Sequence, residues 1–287
     1  MNLELKIADL KINIDSFYDK YLAEVTEKYT YKSESFDFCI KTDITQNPII
    51  PPDVQKLTDR TISNWYIHAD GRYEYIYYDM YNDANVIKTV FDMQNKRADI
   101  TLLDVNGKFG VDTEVFLFNA IGIAFNFILL FNNGFAVHAS SIVYNNTGLA
   151  FSAESGTGKS THTGLWVKNH PGTVILNDDK PVMRFVDGKW NIYGTPWAGT
   201  TGINKNLSVP LKALVFLERS ENNTIRDCVG AEAIKRFFEA VIHPFSDETT
   251  DLLLNSLTLL IKHSHICVLG CNMTDDAPKT VREFLYD

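Results

Sequence analysis

The chain has 287 residues, of which 45% are hydrophobic and 22% charged, and its formal net charge is −9. That length can bury a sizeable core and admits two domains, and the composition is that of a soluble globular protein. The acidic balance argues against nucleic acid or an anionic membrane as a partner, because either asks for a basic face.

Residues 1–10 alternate charged and apolar side chains and lack the apolar centre of a secretory signal. The first thirty residues read as weakly helical. A tyrosine-rich, strand-like region follows. Residues 65–68 and 72–78 flank Ala69-Asp70-Gly71, and Asp-Gly between two β-rich runs signals a hairpin. Residues 86–93 and 98–104 flank Gln94-Asn95-Lys96-Arg97, a second hairpin. The aromatic stripe on these runs reads as the half-buried face of a sheet. Asn106-Gly107-Lys108 reads as a turn and a domain boundary. Residues 1–108 then form an N-terminal α+β domain, a candidate for substrate recognition, and 109–287 form a second domain.

A helix is expected over 112–131. The apolar run 115–131 inside it carries Asn119, Gly122 and Asn126 and has no flanking Lys or Arg cluster. It is short for a bilayer, so it reads as a helix packed inside the protein, with no membrane partner. A strand over 136–144 turns through Asn145-Asn146-Thr147-Gly148 into the strand-like run 148–152.

Next comes Ala153-Glu154-Ser155-Gly156-Thr157-Gly158-Lys159-Ser160-Thr161, followed by a helical pattern to Lys168. Strand, glycine loop and helix in this order form the context of a phosphate-binding loop. Glycines let successive backbone N–H groups turn towards phosphate oxygens, and the helix N-terminus adds free N–H groups and partial positive charge. In the pattern G-x-x-x-x-G-K-[ST], the lysine reaches the β/γ-phosphates and the hydroxyl sits on Mg²⁺, here Lys159 and Ser160. Ala153 stands where the pattern has Gly. Its Cβ disfavours φ > 0, and weaker nucleotide affinity is expected from it.

Beyond Gly172 a strand is expected over 174–176, leading into Asn177-Asp178-Asp179. Two carboxylates after an apolar strand supply what a Mg²⁺ site and a hydroxyl-activating base need. Residues 181–186 and 189–193 flank Asp187-Gly188, a third hairpin. Residues 211–217 read as a central strand, and 231–242 and 247–261 as amphipathic helices, the second capped by Ser246 or Asp247. A strand at 266–269 and a helix opened by Asp275-Asp276-Ala277-Pro278 complete the chain. Cys39, Cys228, Cys267 and Cys271 lack a zinc-ligand spacing and read as buried or free thiols of a reducing, cytoplasmic protein.

The order His138, then 153–160, then Leu176-Asn177-Asp178-Asp179 resembles the HPr kinase/phosphorylase family and the fold it shares with phosphoenolpyruvate carboxykinase. The segment 194–205 (Gly194-Thr-Pro-Trp197-Ala-Gly199-Thr-Thr-Gly202-Ile-Asn-Lys205) falls where such kinases carry a second glycine-rich signature. The strand at 214–219 then ends in Glu218-Arg219. The resemblance covers about residues 110–287 and is nearest to stand-alone HPr-kinase-like proteins that modify peptide or small-molecule hydroxyls. It implies an α/β (α+β) protein with a carboxykinase/HPr kinase-like P-loop domain behind the N-terminal α+β domain, ATP and Mg²⁺ as cofactors, and kinase activity.

Carried over residue by residue, residues 154–161 hold the nucleotide: Glu154, Ser155, Gly156, Thr157, Gly158, Lys159, Ser160 and Thr161. Ser160 and one of Asp178/Asp179 take Mg²⁺, and the other Asp accepts the proton of the acceptor. His138 hydrogen-bonds the transferring phosphoryl group or stabilises its charge. Lys205 and Arg219 are further basic candidates near the γ-phosphate or acceptor. The acceptor implied is a hydroxyl, most readily a serine of a peptide or protein, and a homo-oligomer stays open. The other readings are a small-molecule kinase, a nucleotide-binding regulatory or scaffold protein that transfers nothing, and a carboxykinase.

Overall fold

The computed structural model describes residues 2–18, 20–104, 113–154, 156–241 and 243–287. The architecture is mixed α/β, with two compact units, 1–127 and 128–287.

The first unit begins with β1 (Asn2–Ile7) and β2 (Leu10–Asp15), an antiparallel pair turning at Ala8 and Asp9, both at positive φ. This corrects the helical reading of the first thirty residues, where only α1 (Lys20–Thr26) is α-helical. The reason is the spacing of the apolar residues. Leu3, Leu5 and Ile7, then Leu10, Ile12 and Ile14, repeat every second residue, and all six are buried.

β3 (Phe38–Thr45), β4 (Gln55–Lys56), β5 (Ser63–Ile67), β6 (Tyr73–Asp79), β7 (Ala84–Asp92) and β8 (Arg97–Leu103) follow. The sheet order is β1-β2-β3-β8-β7-β6-β5-β4. β5–β6 and β7–β8 are the two expected hairpins. The aromatic stripe is a buried sheet face: Trp65, Tyr73, Tyr75 and Phe91 are all covered.

α2 (Thr113–Leu130) is apolar and long enough to cross a bilayer, yet 61% of it is buried within the protein. Its Phe127 ring lies 5.3 Å from Trp65 and 4.2 Å from Phe91, completing an aromatic cluster. The two units divide inside this helix, between Phe127 and Ile128. The turn expected at 106–108 lies outside the described residues.

The second unit runs β9 (Gly134–Ala136), β10 (Ala139–Tyr144), β11 (Thr147–Ser152), α3 (Lys159–Asn169), β12 (Val174–Asn177), β13 (Val182–Val186), β14 (Lys189–Tyr193), β15 (Ser208–Arg219), β16 (Thr224–Asp227), α4 (Gly230–Ala240), α5 (Asp247–His263), β17 (His265–Cys271) and α6 (Asp276–Tyr286). Its sheet has the order β12-β10-β11-β15-β14-β13-β9, and β17 pairs with both β15 and β16. β11, β15 and β17 are mutually parallel, with β15 between the other two.

Alternation along these strands feeds two separate cores. Ala150, Leu214, Phe216, Ile266 and Val268 face a cluster completed by Phe237 of α4 and Leu253, Leu257 and Leu260 of α5. Leu149, Phe151, Val215, Leu217, Cys267 and Leu269 face the opposite cluster, with Trp166 of α3 and Val281 and Leu285 of α6. The central strands are therefore apolar on both faces, as strands covered by helices on both sides are. Burial raises the thiol pKa of Cys228 and Cys271 and pushes Cys267 up to about 12, so these cysteines are core residues rather than nucleophiles.

α5 opens with a capping box in which Ser246 and Thr249 each satisfy the other's backbone N–H. The strand expected over 136–144 is two strands: β9 pairs with β13, and β10 pairs with β11 and β12. The break falls at Val137-His138.

Candidate active site

β11 delivers the chain to the 153–158 loop at the C-terminal end of the parallel strands, and α3 leaves from it. Gly156 and Gly158 have φ of +76° and +109°, a region that residues with a Cβ enter only with strain. Ala153 is not among the residues at positive φ, and it packs against the α3 side of the core. Alanine in place of Gly there imposes no positive-φ strain on the backbone. Lys159 begins α3, and its Nζ donates to the Ala153 carbonyl at 3.1 Å. Burial lowers the Lys159 pKa, partly offset by Asp179.

The two carboxylates follow β12, beside β10 at the sheet edge. Asn177 organises this corner and has no exposed surface. Its Oδ1 accepts from the N–H groups of Asp179 (2.9 Å) and Lys180 (2.7 Å). Its Nδ2 donates to the Thr195 carbonyl at 2.9 Å. A fully buried amide with both ends bonded fixes the local backbone. The second glycine-rich segment is strapped to the same corner. The N–H groups of Lys205 and Asp178 donate to Leu176 O and Ile203 O, at 2.9 and 3.2 Å. Gly199 lies directly over Asp179: a Cβ there would sit 3.0 Å from Asp179 Cβ.

The two carboxylates have different surroundings. Asp178 is 7% exposed, and its Oδ1 accepts from Ser140 Oγ at 2.5 Å. Asp179 has 30% of its side chain exposed and places Oδ1 3.5 Å from His138 Nε2. His138 reaches this position because the chain breaks out of the sheet there. Its N–H donates to Ala240 O at 2.8 Å, and its carbonyl accepts from Ser152 Oγ at 2.8 Å. Burial, then the nearby Lys180 and Lys159, lower the His138 pKa, and Asp179 opposes them. The net lowering favours the neutral ring.

Two cavities share His138. The first, of about 410 Å³, brings together His138, Gly156, Gly158, Lys159, Ser160, Thr161, Asp178, Asp179 and the 198–201 turn. Glu154 and Thr157 line the second instead, a cavity of about 730 Å³ with Phe216, Arg219, Arg236 and Glu239. Ser155 lies outside the described residues. Arg219 borders the second cavity, and its Nη2 donates to Gly156 O at 3.2 Å. Lys205 lines neither cavity.

Among the described residues no group of three or more His, Cys, Asp or Glu forms a ready metal cage. The first cavity brings the Ser160 hydroxyl together with the carboxylates of Asp178 and Asp179, hard oxygen donors that suit Mg²⁺. Ser140, Thr163, Arg236 and Glu239 were not singled out by the sequence.

No family model matches the chain, and no curated protein matches it. Among solved structures, the Hpr(Ser) kinase/phosphatase from Coxiella burnetii is similar at a TM-score of 0.32 and 11% identity. The match covers 52% of this chain and 95% of that one.

Proposed function

We propose that the protein is an ATP- and Mg²⁺-dependent kinase that transfers the γ-phosphate to a hydroxyl, taken here as a serine of a peptide or protein. The observation that supports this most is the first cavity, where three chain segments converge beside the 198–201 turn. These are the break at His138, the loop and helix start at 156–161, and the strand end at Asp178-Asp179.

The loop N–H groups and the α3 N-terminus would bind the phosphates, with Lys159 at the β/γ end. Ser160 and Asp178 would hold Mg²⁺, which when bound neutralises phosphate charge. Asp179, the more exposed carboxylate and the neighbour of His138, would take the proton from the acceptor hydroxyl. Neutral His138 would hydrogen-bond the transferring group. Positioning and charge neutralisation supply most of what phosphoryl transfer needs. A purely nucleotide-binding regulator would have no use for Asp179. Free thiols suit a cytoplasmic setting.

The test is transfer from γ-labelled ATP to serine-containing peptides, with and without Mg²⁺. Lys159→Ala and Asp178→Asn are each expected to lower Mg²⁺-dependent turnover at least about a hundredfold. Turnover that survives both changes refutes the proposal.

A further inference from the structure

A short chain of hydroxyls runs beneath the first cavity. Ser140 of β10 and Thr163 of α3 have no exposed surface, and each is an unusual choice for its surroundings. Ile142, two residues along β10 from Ser140, joins the apolar cluster beneath α3, and so does Trp166, three residues beyond Thr163. A hydroxyl buried among such neighbours is tolerated only where it is hydrogen-bonded.

Proton counting sets the direction of the chain. Ser140 has one hydrogen, and it goes to Asp178 Oδ1 at 2.5 Å. In the Ser140–Thr163 pair, at 2.9 Å, Thr163 must then be the donor. The order is therefore Thr163 to Ser140 to the Asp178 carboxylate. Ser160 O, 3.1 Å from Thr163 Oγ1, competes for the same hydrogen. Helix α3, whose first turn carries Lys159 and Ser160, is thus tied through two hydroxyls to Asp178 at the end of the next strand.

We infer that Ser140 and Thr163 are positioning residues for the metal-side carboxylate, holding Asp178 at a fixed distance and orientation from the Ser160 hydroxyl. This rests on the kinase reading above. One lone pair of Asp178 is committed below the cavity, which leaves its other oxygen to the cation. Outer hydrogen bonds to a ligating carboxylate set metal affinity in this way. A purely structural role would instead change stability and leave cation affinity alone.

The discriminating measurement is Mn²⁺ affinity in the presence of ADP, read by electron paramagnetic resonance. Melting temperature and metal-free ADP binding are measured on the same samples. Ser140→Ala is expected to raise the Mn²⁺ dissociation constant about 10- to 100-fold, with metal-free ADP binding unchanged. Thr163→Val should give a smaller rise and Thr163→Ser a return to the native value. If Ser140→Ala does not fold, the two Thr163 variants decide. Native Mn²⁺ affinity in both Ser140→Ala and Thr163→Val, or in Thr163→Val alone where Ser140→Ala is lost, overturns the inference while the kinase reading stands. A native protein that binds no Mn²⁺ with ADP overturns both.

Discussion

Two glycine-rich segments meet at the first cavity, and Gly156 of one and Gly194 of the other are glycine for opposite reasons. In the 153–158 loop, a Cβ built on Gly156 would meet nothing within 4 Å; glycine is there for its φ of +76°. In the 194–202 segment, a Cβ on Gly194 would lie 1.9 Å from Lys205 O and 3.0 Å from Leu176 O. Glycine there lets two backbones approach. Gly199 combines both demands, with φ +61° and Asp179 immediately beneath it. Gly156 turns through open space, whereas Gly194 and Gly199 lie close against backbone and against Asp179.

This contrast ranks the effects of adding one methyl group. Gly194→Ala should be the most damaging, because backbone oxygens cannot give way as side chains do. A loss of about 3 kcal/mol or more is expected in chemical denaturation, and a loss under about 1 kcal/mol would break the comparison. Gly199→Ala should lower stability by only about 1–2 kcal/mol, while displacing Asp179 and reducing turnover about tenfold or more. Equal losses in nucleotide binding and turnover would remove the segment from the chemistry. Gly156→Ala should be mildest, with about 1 kcal/mol of backbone strain and no clash. Its effect should appear chiefly as weaker nucleotide binding, seen by calorimetry.

The sequence showed much of the second unit and less of the first. Asp70-Gly71 and Asp187-Gly188 marked their hairpins because each glycine sits at positive φ in the turn. The β1–β2 pair was missed because its turn is Ala8-Asp9, which carries no Gly, Pro or Asn signal. Lys159, Ser160 and the Asp pair were visible because the glycine loop and the carboxylates lie on successive elements. Ser140 was not, since a serine in a strand shows nothing of the threonine 2.9 Å away on a helix. The larger cavity was hidden for the same reason: Arg219, Arg236 and Glu239 come together only through the packing of α4 on β15. Asn177 was in view beside the carboxylates, but its hub role depends on Thr195 and Lys180 being brought to it.

The central claim is that the cavity performs transfer and does not merely hold a nucleotide. Single-turnover transfer by Asp179→Asn tests it most directly, with Mg²⁺–ATP affinity measured on the same protein. The account predicts near-native Mg²⁺–ATP binding and phosphate transfer reduced at least about a hundredfold. Transfer at the native rate by Asp179→Asn would contradict it.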